Sequence, residues 1–215
     1  MEIEVLEGVF DANEIIAREN RALLDKKGAF MVNLMASPGA GKTSFIMKTL
    51  EGVKETLECA VIEGDIAGKV DSERIAAAGV QAIQINTGGS CHLEAKQVNT
   101  ALGRLELDGV DLVIVENVGN LVCPAEFKIG EDIKVMILSV AEGHDKPLKY
   151  PLMFSESHVL IVNKIDLIPY TDFDINALEE TVRRMNPEID IFRMSCRTGE
   201  GVAGWIDWLT ARVKG

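Results

Sequence analysis

The stretch from Ala36 to Thr43 reads Ala-Ser-Pro-Gly-Ala-Gly-Lys-Thr, and it decides the fold. An apolar run, Phe30 to Ala36, precedes it, and a segment with helical periodicity starts near Lys42. In a strand, loop and helix arranged this way, glycine lets successive backbone N–H groups point inward, and the helix N-terminus adds partial positive charge. The stretch therefore predicts a phosphate-binding loop.

The residues that close this loop predict how phosphate is held. We expect Lys42 to bridge the β- and γ-phosphates and the Thr43 hydroxyl to bind Mg²⁺. The usual motif opens with glycine where this chain has Ala36, whose small side chain still permits the turn. A glycine turn before an ordinary helix is the alternative. The predicted nucleotide contacts of the loop are Pro38, Gly39, Ala40, Gly41, Lys42, Thr43 and Ser44.

Beyond this loop, short apolar runs alternate with helical patterns. The expected strands are Phe30 to Ala36, Cys59 to Glu63, Ala82 to Asn86, Asp111 to Glu116, Lys134 to Val140, His158 to Asn163 and Ile189 to Met194. The expected helices are Asn13 to Asp25, Lys42 to Gly52, Ser72 to Ala78, His92 to Leu107, Ile175 to Met185 and Val202 to Val213. Continuously apolar strands are typical of a parallel sheet that is buried on both faces. We predict an α/β fold, a mostly parallel twisted sheet with helices on both faces, in one domain over residues 1–215 with a helical segment, 1–28, packed on it.

The composition narrows the class of function. The net charge is −12 over 215 residues, so we expect no interface with nucleic acid or with an anionic membrane. No apolar run approaches the roughly 20 residues of a membrane helix, and the acidic start, Met1 to Glu4, is unlike a signal peptide. We expect a cytoplasmic protein whose cysteines are core residues, ligands or reactive thiols rather than disulfides. The polar loop from Ala141 to Pro151 is the best candidate for a mobile connection.

A second motif, Asn163-Lys164-Ile165-Asp166, follows a predicted buried strand about 120 residues after the phosphate loop. Asp166 can accept both the ring N–H and the exocyclic amine of guanine, and adenine would leave this carboxylate unpaired. Lys164 can lay its stem over the base, and Asn163 can tie neighbouring loops together. Ser195-Cys196, after the last strand, resembles the GTPase motif whose backbone contacts guanine. Each segment alone could be an ordinary polar turn; paired with the phosphate loop, they predict GTP binding.

Acidic residues at strand ends predict the hydrolytic part of the site. Asp65 and Glu116 lie where carboxylates can reach Mg²⁺ directly or through water. The Gly119 N–H is placed to sense the γ-phosphate, and Asp71 to orient the attacking water. The alternative for each acid is a solvated side chain at a strand end. The predicted catalytic residues are Lys42, Asp65, Asp71 and Glu116.

Cysteine and histidine residues suggest a separate metal-binding chemistry. Cys91 and His92 lead into the helix predicted from His92, and with Ser90 as N-cap the positive helix end would lower the thiol pKa. Cys123 lies seven residues after Glu116, inside the presumed switch loop. Because loops at the carboxyl ends of parallel strands gather on one edge, Cys91 and Cys123 can approach one another.

Two thiolates and an imidazole suit Zn²⁺ or Ni²⁺. Three ligands in one chain leave either an open position, as transfer requires, or a site shared across a symmetric dimer axis. The alternative is that Cys91 and Cys123 are small buried hydrophobic residues and that His92 lies on the surface. Cys59, which begins a strand, is expected in the core, and Cys196 is expected to be a small filler.

With these motifs, the sequence resembles the HypB family, GTPases that help to insert nickel into nickel–iron hydrogenases. The most specific segments are Ala36 to Thr43, Thr87 to Leu93, Glu116 to Pro124, Glu142 to Pro151 and Asn163 to Asp166. The resemblance implies a P-loop NTPase of the SIMIBI type that dimerises on GTP, hydrolyses it slowly to GDP, and binds metal through Cys91, His92 and Cys123 at the subunit interface. It also implies cooperation with a HypA-type nickel accessory protein and with the hydrogenase large subunit.

The chain departs from some relatives in two places. Its first 58 residues contain no cysteine and no histidine, so an N-terminal nickel site is not carried over. Ala125 follows Cys123-Pro124 where the related urease GTPase has histidine, which makes service to urease the lesser alternative. Lys146 and Lys149, in the polar loop, could touch nucleotide or a partner chain, or simply be solvated.

Cys123 and Glu116 share one switch loop, which suggests how nucleotide and metal are coupled. A loop that moves between GTP and GDP would change the metal affinity, so hydrolysis could release metal in one direction. The leading hypothesis is a GTP-hydrolysing nickel chaperone. The competing hypotheses are a GTP-dependent binding switch with a structural zinc ion at a dimer interface, and a P-loop small-molecule kinase, which the guanine motif disfavours.

Overall fold

A seven-stranded sheet forms the centre of the computed structural model, which describes residues 9–64, 75 and 79–215. The strands are β1 (Phe30–Ala36), β2 (Cys59–Glu63), β3 (Gln81–Gln84), β4 (Leu112–Glu116), β5 (Ile133–Ser139), β6 (Val159–Asn163) and β7 (Asp190–Arg193). Their order across the sheet is β3-β2-β4-β1-β5-β6-β7, and every neighbouring pair is parallel. The strands predicted from the sequence are confirmed; β1 and β2 have their predicted bounds, and the others differ only at their ends.

Helices flank this sheet. Within the described residues they are α1 (Val9–Lys27), α2 (Lys42–Val53), α3 (Ala95–Leu102), α4 (Cys123–Glu126), α5 (Lys146–Lys149), α6 (Pro151–Glu156), α7 (Ile175–Met185) and α8 (Val202–Lys214), with 3-10 turns at Val140–Glu142 and Ile165–Tyr170. The helix predicted over Ser72 to Ala78 falls outside the described residues apart from Ile75, which is helical and buried. Among the described residues, no helix combines the length and apolar character needed to cross a bilayer.

Alternating residues of the central strand show that both faces of the sheet are covered. Val32 and Leu34 of β1 join one core cluster with Phe45 of α2 and Trp205 of α8. Met31, which points the other way, packs in a second cluster that also contains residues of α1 and α3. A third cluster unites the other end of β1 with residues of α6 and α7. Since side chains alternate across a strand, the predicted two-sided arrangement is confirmed.

The helix predicted from His92 to Leu107 is wrong at both ends. Helix α3 begins at Ala95, and its N-cap is Glu94, not Ser90. Glu94 and Gln97 form a capping box, in which the Gln97 side chain accepts the Glu94 N–H at 2.9 Å. Gly103 caps the other end. Cys91 therefore precedes the helix instead of lying in its first turn, and the predicted effect of a helix end on its thiol does not apply.

The polar loop from Ala141 to Pro151 is largely built from short helical turns. A 3-10 turn, α5 and the start of α6 occupy it, and Ser139 and Glu142 form a capping box at the first of these turns. Lys149 pairs with Asp145 at 2.5 Å, and the Lys146 ammonium lies 5.3 Å from the centre of the Tyr150 ring. Both lysines therefore have partners within the loop itself.

Two asparagines of α1 connect the segment that follows Cys91 with the segment that follows Cys123. Asn13 accepts the Ala95 N–H at 2.9 Å and donates to the Lys128 carbonyl at 2.8 Å. Asn20, which is fully buried, donates to the carbonyls of Ala95 and Ile129, each at 2.9 Å. Helix α1 thus joins the start of α3 to the loop after α4.

Candidate functional site

Two glycines of the phosphate loop, between β1 and α2, adopt backbone conformations that other residues avoid. The φ angle is +78° at Gly39 and +106° at Gly41, which caps the N-terminus of α2. Lys42 follows with only 7% of its surface exposed, and its Nζ lies 4.0 Å from the Glu116 carboxylate at the end of β4. The loop therefore places a buried cation beside an acid, at the edge where the strands end.

The predicted base-reading loop is in direct contact with the phosphate loop. Asn163, at the end of β6, donates to the Ala40 carbonyl at 3.0 Å and accepts the Cys196 N–H at 3.3 Å. Lys164 has a left-handed backbone with φ of 63°, and its Nζ donates to the Gly39 carbonyl at 2.7 Å. Asn163 therefore links three loops, each of which follows a different strand.

Asp166 is oriented by the loop after β7. Its Oδ1 accepts the Ser195 hydroxyl at 2.6 Å, and Ser195 itself is fully buried. Arg197 approaches the second carboxylate oxygen at 3.9 Å from an exposed position. A carboxylate held in this way presents acceptors in a defined direction, which is what recognition of paired N–H donors requires.

The segment after β4 packs against the phosphate loop. A Cβ built on Gly119 would lie 3.0 Å from Pro38 Cγ and 3.2 Å from Pro38 N, so the two backbones are nearly in van der Waals contact. Ser37 of the phosphate loop also hydrogen-bonds Glu142. Thr43 and Ser44 occupy the first turn of α2. Asp65 and Asp71 lie outside the described residues.

Cys91, His92 and Cys123 form a cluster whose ligand atoms lie within 4.8 Å of one another. Cys91 Sγ is 3.4 Å from His92 Nδ1, and the Asn120 amide donates to the Cys91 carbonyl at 3.2 Å. The His92 ring stacks on Phe127, with centroids 4.1 Å apart and planes at 22°. The approach of Cys91 to Cys123 that the strand-end argument predicted is thus present in the structure.

Electrostatics suit this cluster to a divalent cation. A hydrogen bond with Cys91 raises the pKa of Cys123, and burial and the charges of Cys91 and Glu126 add to that effect. Burial lowers the pKa of His92, so its imidazole is neutral near pH 7 and has a lone pair to offer. The buried His92 Nε2 has no hydrogen-bond partner in the described part of the chain. Two adjacent thiols, of which Cys123 resists ionisation, and a neutral imidazole fit a zinc or nickel ion, whose charge would stabilise the thiolates.

Cys59 and Cys196 lie outside this cluster, and burial makes their thiols hard to ionise. Burial raises the pKa of Cys59 to about 12 and that of Cys196 to about 11, so both stay protonated at neutral pH. Each packs against the core cluster that contains Trp205. The core position expected for Cys59 and the filler role expected for Cys196 agree with this packing.

Residues that received no role from the sequence also contribute to the site. Phe127 orients His92 by stacking, Asn120 holds Cys91, and Glu142 contacts the phosphate loop. Asn120 and Glu142 stand inside the segments that carry the family resemblance, so their presence was visible but their partners were not. Phe127 gave no signal, because one aromatic residue after a turn is indistinguishable from a core residue.

The chain is similar to known proteins over most of its length. A family model described as the CobW/HypB/UreG nucleotide-binding domain matches residues 30–193. The hydrogenase maturation factor HypB of Escherichia coli (strain K12) is 46% identical over 209 residues, covering 97% of this chain and 71% of that protein.

Solved structures also match the fold of this chain. The crystal structure of HypB from Helicobacter pylori in complex with nickel matches with a TM-score of 0.89 and 36% identity, covering 94% of this chain and 95% of that one. The signal recognition particle 54 kDa protein from Aeropyrum pernix K1, in complex with GDP, matches at 16% identity with a TM-score of 0.58, covering 98% of this chain and 58% of that one, and this likeness concerns the fold alone. The predicted SIMIBI-type fold is confirmed.

Proposed function

This chain belongs to the HypB family of hydrogenase maturation factors, and from that premise we propose that it is a GTP-hydrolysing nickel metallochaperone. Its cargo would be Ni²⁺, and its client the large subunit of a nickel–iron hydrogenase. The observation that carries the proposal is the cluster of Cys91, His92 and Cys123 within 4.8 Å, in which Cys123 follows the segment whose Gly119 packs on the phosphate loop. A nickel-bound relative with the same fold supports the choice of cargo.

The nucleotide part of the proposal rests on the loops at the sheet edge. Backbone N–H groups around Gly39 and Gly41 hold the phosphates, Lys42 neutralises their charge, and Asp166 selects guanine. Thr43 and Glu116, together with Asp65, are the residues that would hold Mg²⁺, which spreads the charge that develops on the phosphates. We expect slow intrinsic hydrolysis, with Asp71 orienting the attacking water.

Nucleotide and cargo are coupled through the segment from Glu116 to Cys123. Gly119 packs on Pro38 of the phosphate loop, so a change at the γ-phosphate position displaces the segment that carries Cys123. Three ligands per chain, with Cys91 exposed, also leave room for a second copy to complete the coordination. We therefore propose a GTP-dependent homodimer that receives nickel from a HypA-type partner.

A nickel titration of the GDP-bound and GTP-analogue-bound forms tests the proposal, with the oligomer size followed by light scattering. We expect different nickel affinities in the two states, and we expect Cys123→Ala to lose nickel while keeping nucleotide. Cys59→Ala is the matched control, because its half-buried thiol packs against the core cluster that contains Trp205, and the substitution should leave nickel binding unchanged. Equal affinity and stoichiometry in both states would refute the chaperone and leave a structural zinc site in a GTP-dependent binding switch.

Base selection is tested independently of nickel. Asp166→Asn replaces one acceptor by a donor, so the preference for GTP over ATP should fall, by up to about 10⁴-fold for a fully lost hydrogen-bonding site. The wild-type protein should hydrolyse GTP but not ATP. Equal hydrolysis of ATP and GTP by the wild-type protein would show that the base-reading assignment is wrong.

A further inference from the structure

Asn117 stands between the nucleotide site and the cysteine–histidine cluster. It directly follows Glu116 at the end of β4 and is 1% exposed. Its Oδ1 accepts the N–H groups of Leu93 at 3.0 Å and Val118 at 2.9 Å, and its Nδ2 donates to Asn33 Oδ1 at 3.0 Å. A buried amide bonded through both its ends has one orientation, and a side chain that only donates or only accepts could not replace it.

The backbone of Asn117 is linked to the strand that leads into the phosphate loop. Its backbone N–H donates to the Leu34 carbonyl of β1 at 2.9 Å, and β1 runs directly into the phosphate loop. Its neighbour Glu116 lies 4.0 Å from Lys42 Nζ. A shift of the β4 end that brings the Glu116 carboxylate to a bound Mg²⁺ would therefore also move the backbone that carries the Asn117 amide.

The side chain of Asn117 is linked to the segment that contains Cys91 and His92. Leu93, whose N–H it binds, directly follows His92, and the Leu93 side chain is fully buried. A Cβ built on Gly64, just after β2, would lie 2.4 Å from Leu93 Cδ1, so the side chain fills the space up to the Gly64 backbone. Leu93 therefore has little freedom of its own, and its position follows the ends of β2 and β4.

We propose that Asn117 is a positioning residue that transmits the nucleotide state to Cys91 and His92. The inference rests on the proposed function and adds a second route to it. The segment after Glu116 contains Cys123 and moves it directly. The Asn117 amide binds the Leu93 N–H, and it therefore moves Cys91 and His92, which precede Leu93. Both halves of the cluster then respond to the same strand end, and the arrangement of the ligand atoms changes with the nucleotide.

The test compares the nickel dissociation constants of the protein bound to GDP and to a non-hydrolysable GTP analogue. Coupled sites typically differ in affinity by about 5–150-fold between states. In Asn117→Ala we expect this ratio to fall toward one, while nickel stoichiometry and GDP affinity are retained. Asn186→Ala is the matched control, because Asn186 donates to three backbone carbonyls, those of Phe154, Ser155 and Ser157, none of which belongs to the segments that carry the cluster. This control should keep the wild-type ratio.

Asn33→Ala provides a second variant in case Asn117→Ala does not fold. It removes the acceptor that orients the Asn117 amide but leaves the Leu93 contact possible, so we expect a partial loss of the ratio. A wild-type ratio in Asn117→Ala, or in Asn33→Ala if that is the folded variant, overturns the inference and leaves the proposed function intact. Equal nickel dissociation constants in the two nucleotide states of the wild-type protein overturn both the inference and the chaperone mechanism. A ratio that falls toward one in Asn186→Ala as well would show that the effect is merely structural and would overturn the inference.

Discussion

Replacing Gly41 by alanine tests whether the phosphate loop and the base-reading loop form one unit. A Cβ at Gly41 would lie 2.6 Å from Asn163 Nδ2, the atom that donates to the Ala40 carbonyl. Gly39→Ala is the matched control, since Gly39 also has a positive φ, of +78°, but a Cβ there meets nothing within 4 Å. Both substitutions therefore place an L-residue at a positive φ, and only Gly41→Ala adds the contact with Asn163.

The magnitudes follow from these two terms. A left-handed backbone costs an L-residue roughly 1–2 kcal/mol, so Gly39→Ala should lower the free energy of unfolding by that amount. Gly41→Ala must also displace Asn163 and break its hydrogen bond to Ala40, which adds about 0.5–1.5 kcal/mol. We expect a total loss of about 1.5–3.5 kcal/mol for Gly41→Ala.

Urea denaturation of the nucleotide-free variants, followed by tryptophan fluorescence, measures both values. Titration of a fluorescent GDP analogue then reports whether the displaced Asn163 also weakens base binding, as we expect for Gly41→Ala. Equal free energies of unfolding for the two variants, within about 0.5 kcal/mol, would show that the loops are not mechanically joined through Asn163.

Three further predictions concern stability. Burial lowers the pKa of His158, whose Nδ1 accepts the backbone N–H of Lys134 at 3.0 Å. As the pH falls, the unfolded chain therefore takes up a proton before the folded protein does. The free energy of unfolding should fall as the pH drops below about 6.5. His158→Asn, which can still accept this bond, should reduce that pH dependence in urea denaturation, and an unchanged slope would contradict the assignment. Asn20→Ala leaves two backbone carbonyls without their donor and should lower the free energy of unfolding by about 1–3 kcal/mol, whereas a loss under about 0.5 kcal/mol would show that α1 is not held this way. Thr49→Val removes the acceptor of the buried Trp205 Nε1–H, 2.9 Å away, and should lower the free energy of unfolding by about 1–3 kcal/mol in thermal or urea denaturation. Thr49→Ser keeps a hydroxyl acceptor and should lower it less. Equal losses of stability in the two variants would mean that packing and not the hydrogen bond matters.

The sheet could be predicted from the sequence because its central strands are buried on both faces. Runs such as Phe30 to Ala36 and Cys59 to Glu63 carry apolar residues without alternation, as a short strand covered on both sides requires. The phosphate loop was predictable for a similar reason, since glycine spacing and a following helix are both local features.

The start of α3 was predicted too early although its cap is local. Helical periodicity extends back to His92, but Glu94 and Gln97 form a capping box that starts the helix at Ala95. The hydrogen bond from the Leu93 N–H to the distant Asn117 side chain could not be predicted from the sequence. Likewise, the stacking of Phe127 on His92 depends on how the loop after α4 folds over the cluster. The roles of Asp65 and Asp71 remain predictions, because both residues lie outside the described part of the chain.

The position of β1 in the sheet has a consequence for how this protein is made. The strand that carries the phosphate loop pairs with β4 on one side and with β5 on the other, and β5 ends only at Ser139. Contacts between residues so far apart in sequence form slowly, and a chain emerging from the ribosome acquires its N-terminal residues first. The newly synthesised loop at Gly39 to Thr43 therefore remains without its two flanking strands until translation has passed Ser139, and only then can it capture a nucleotide.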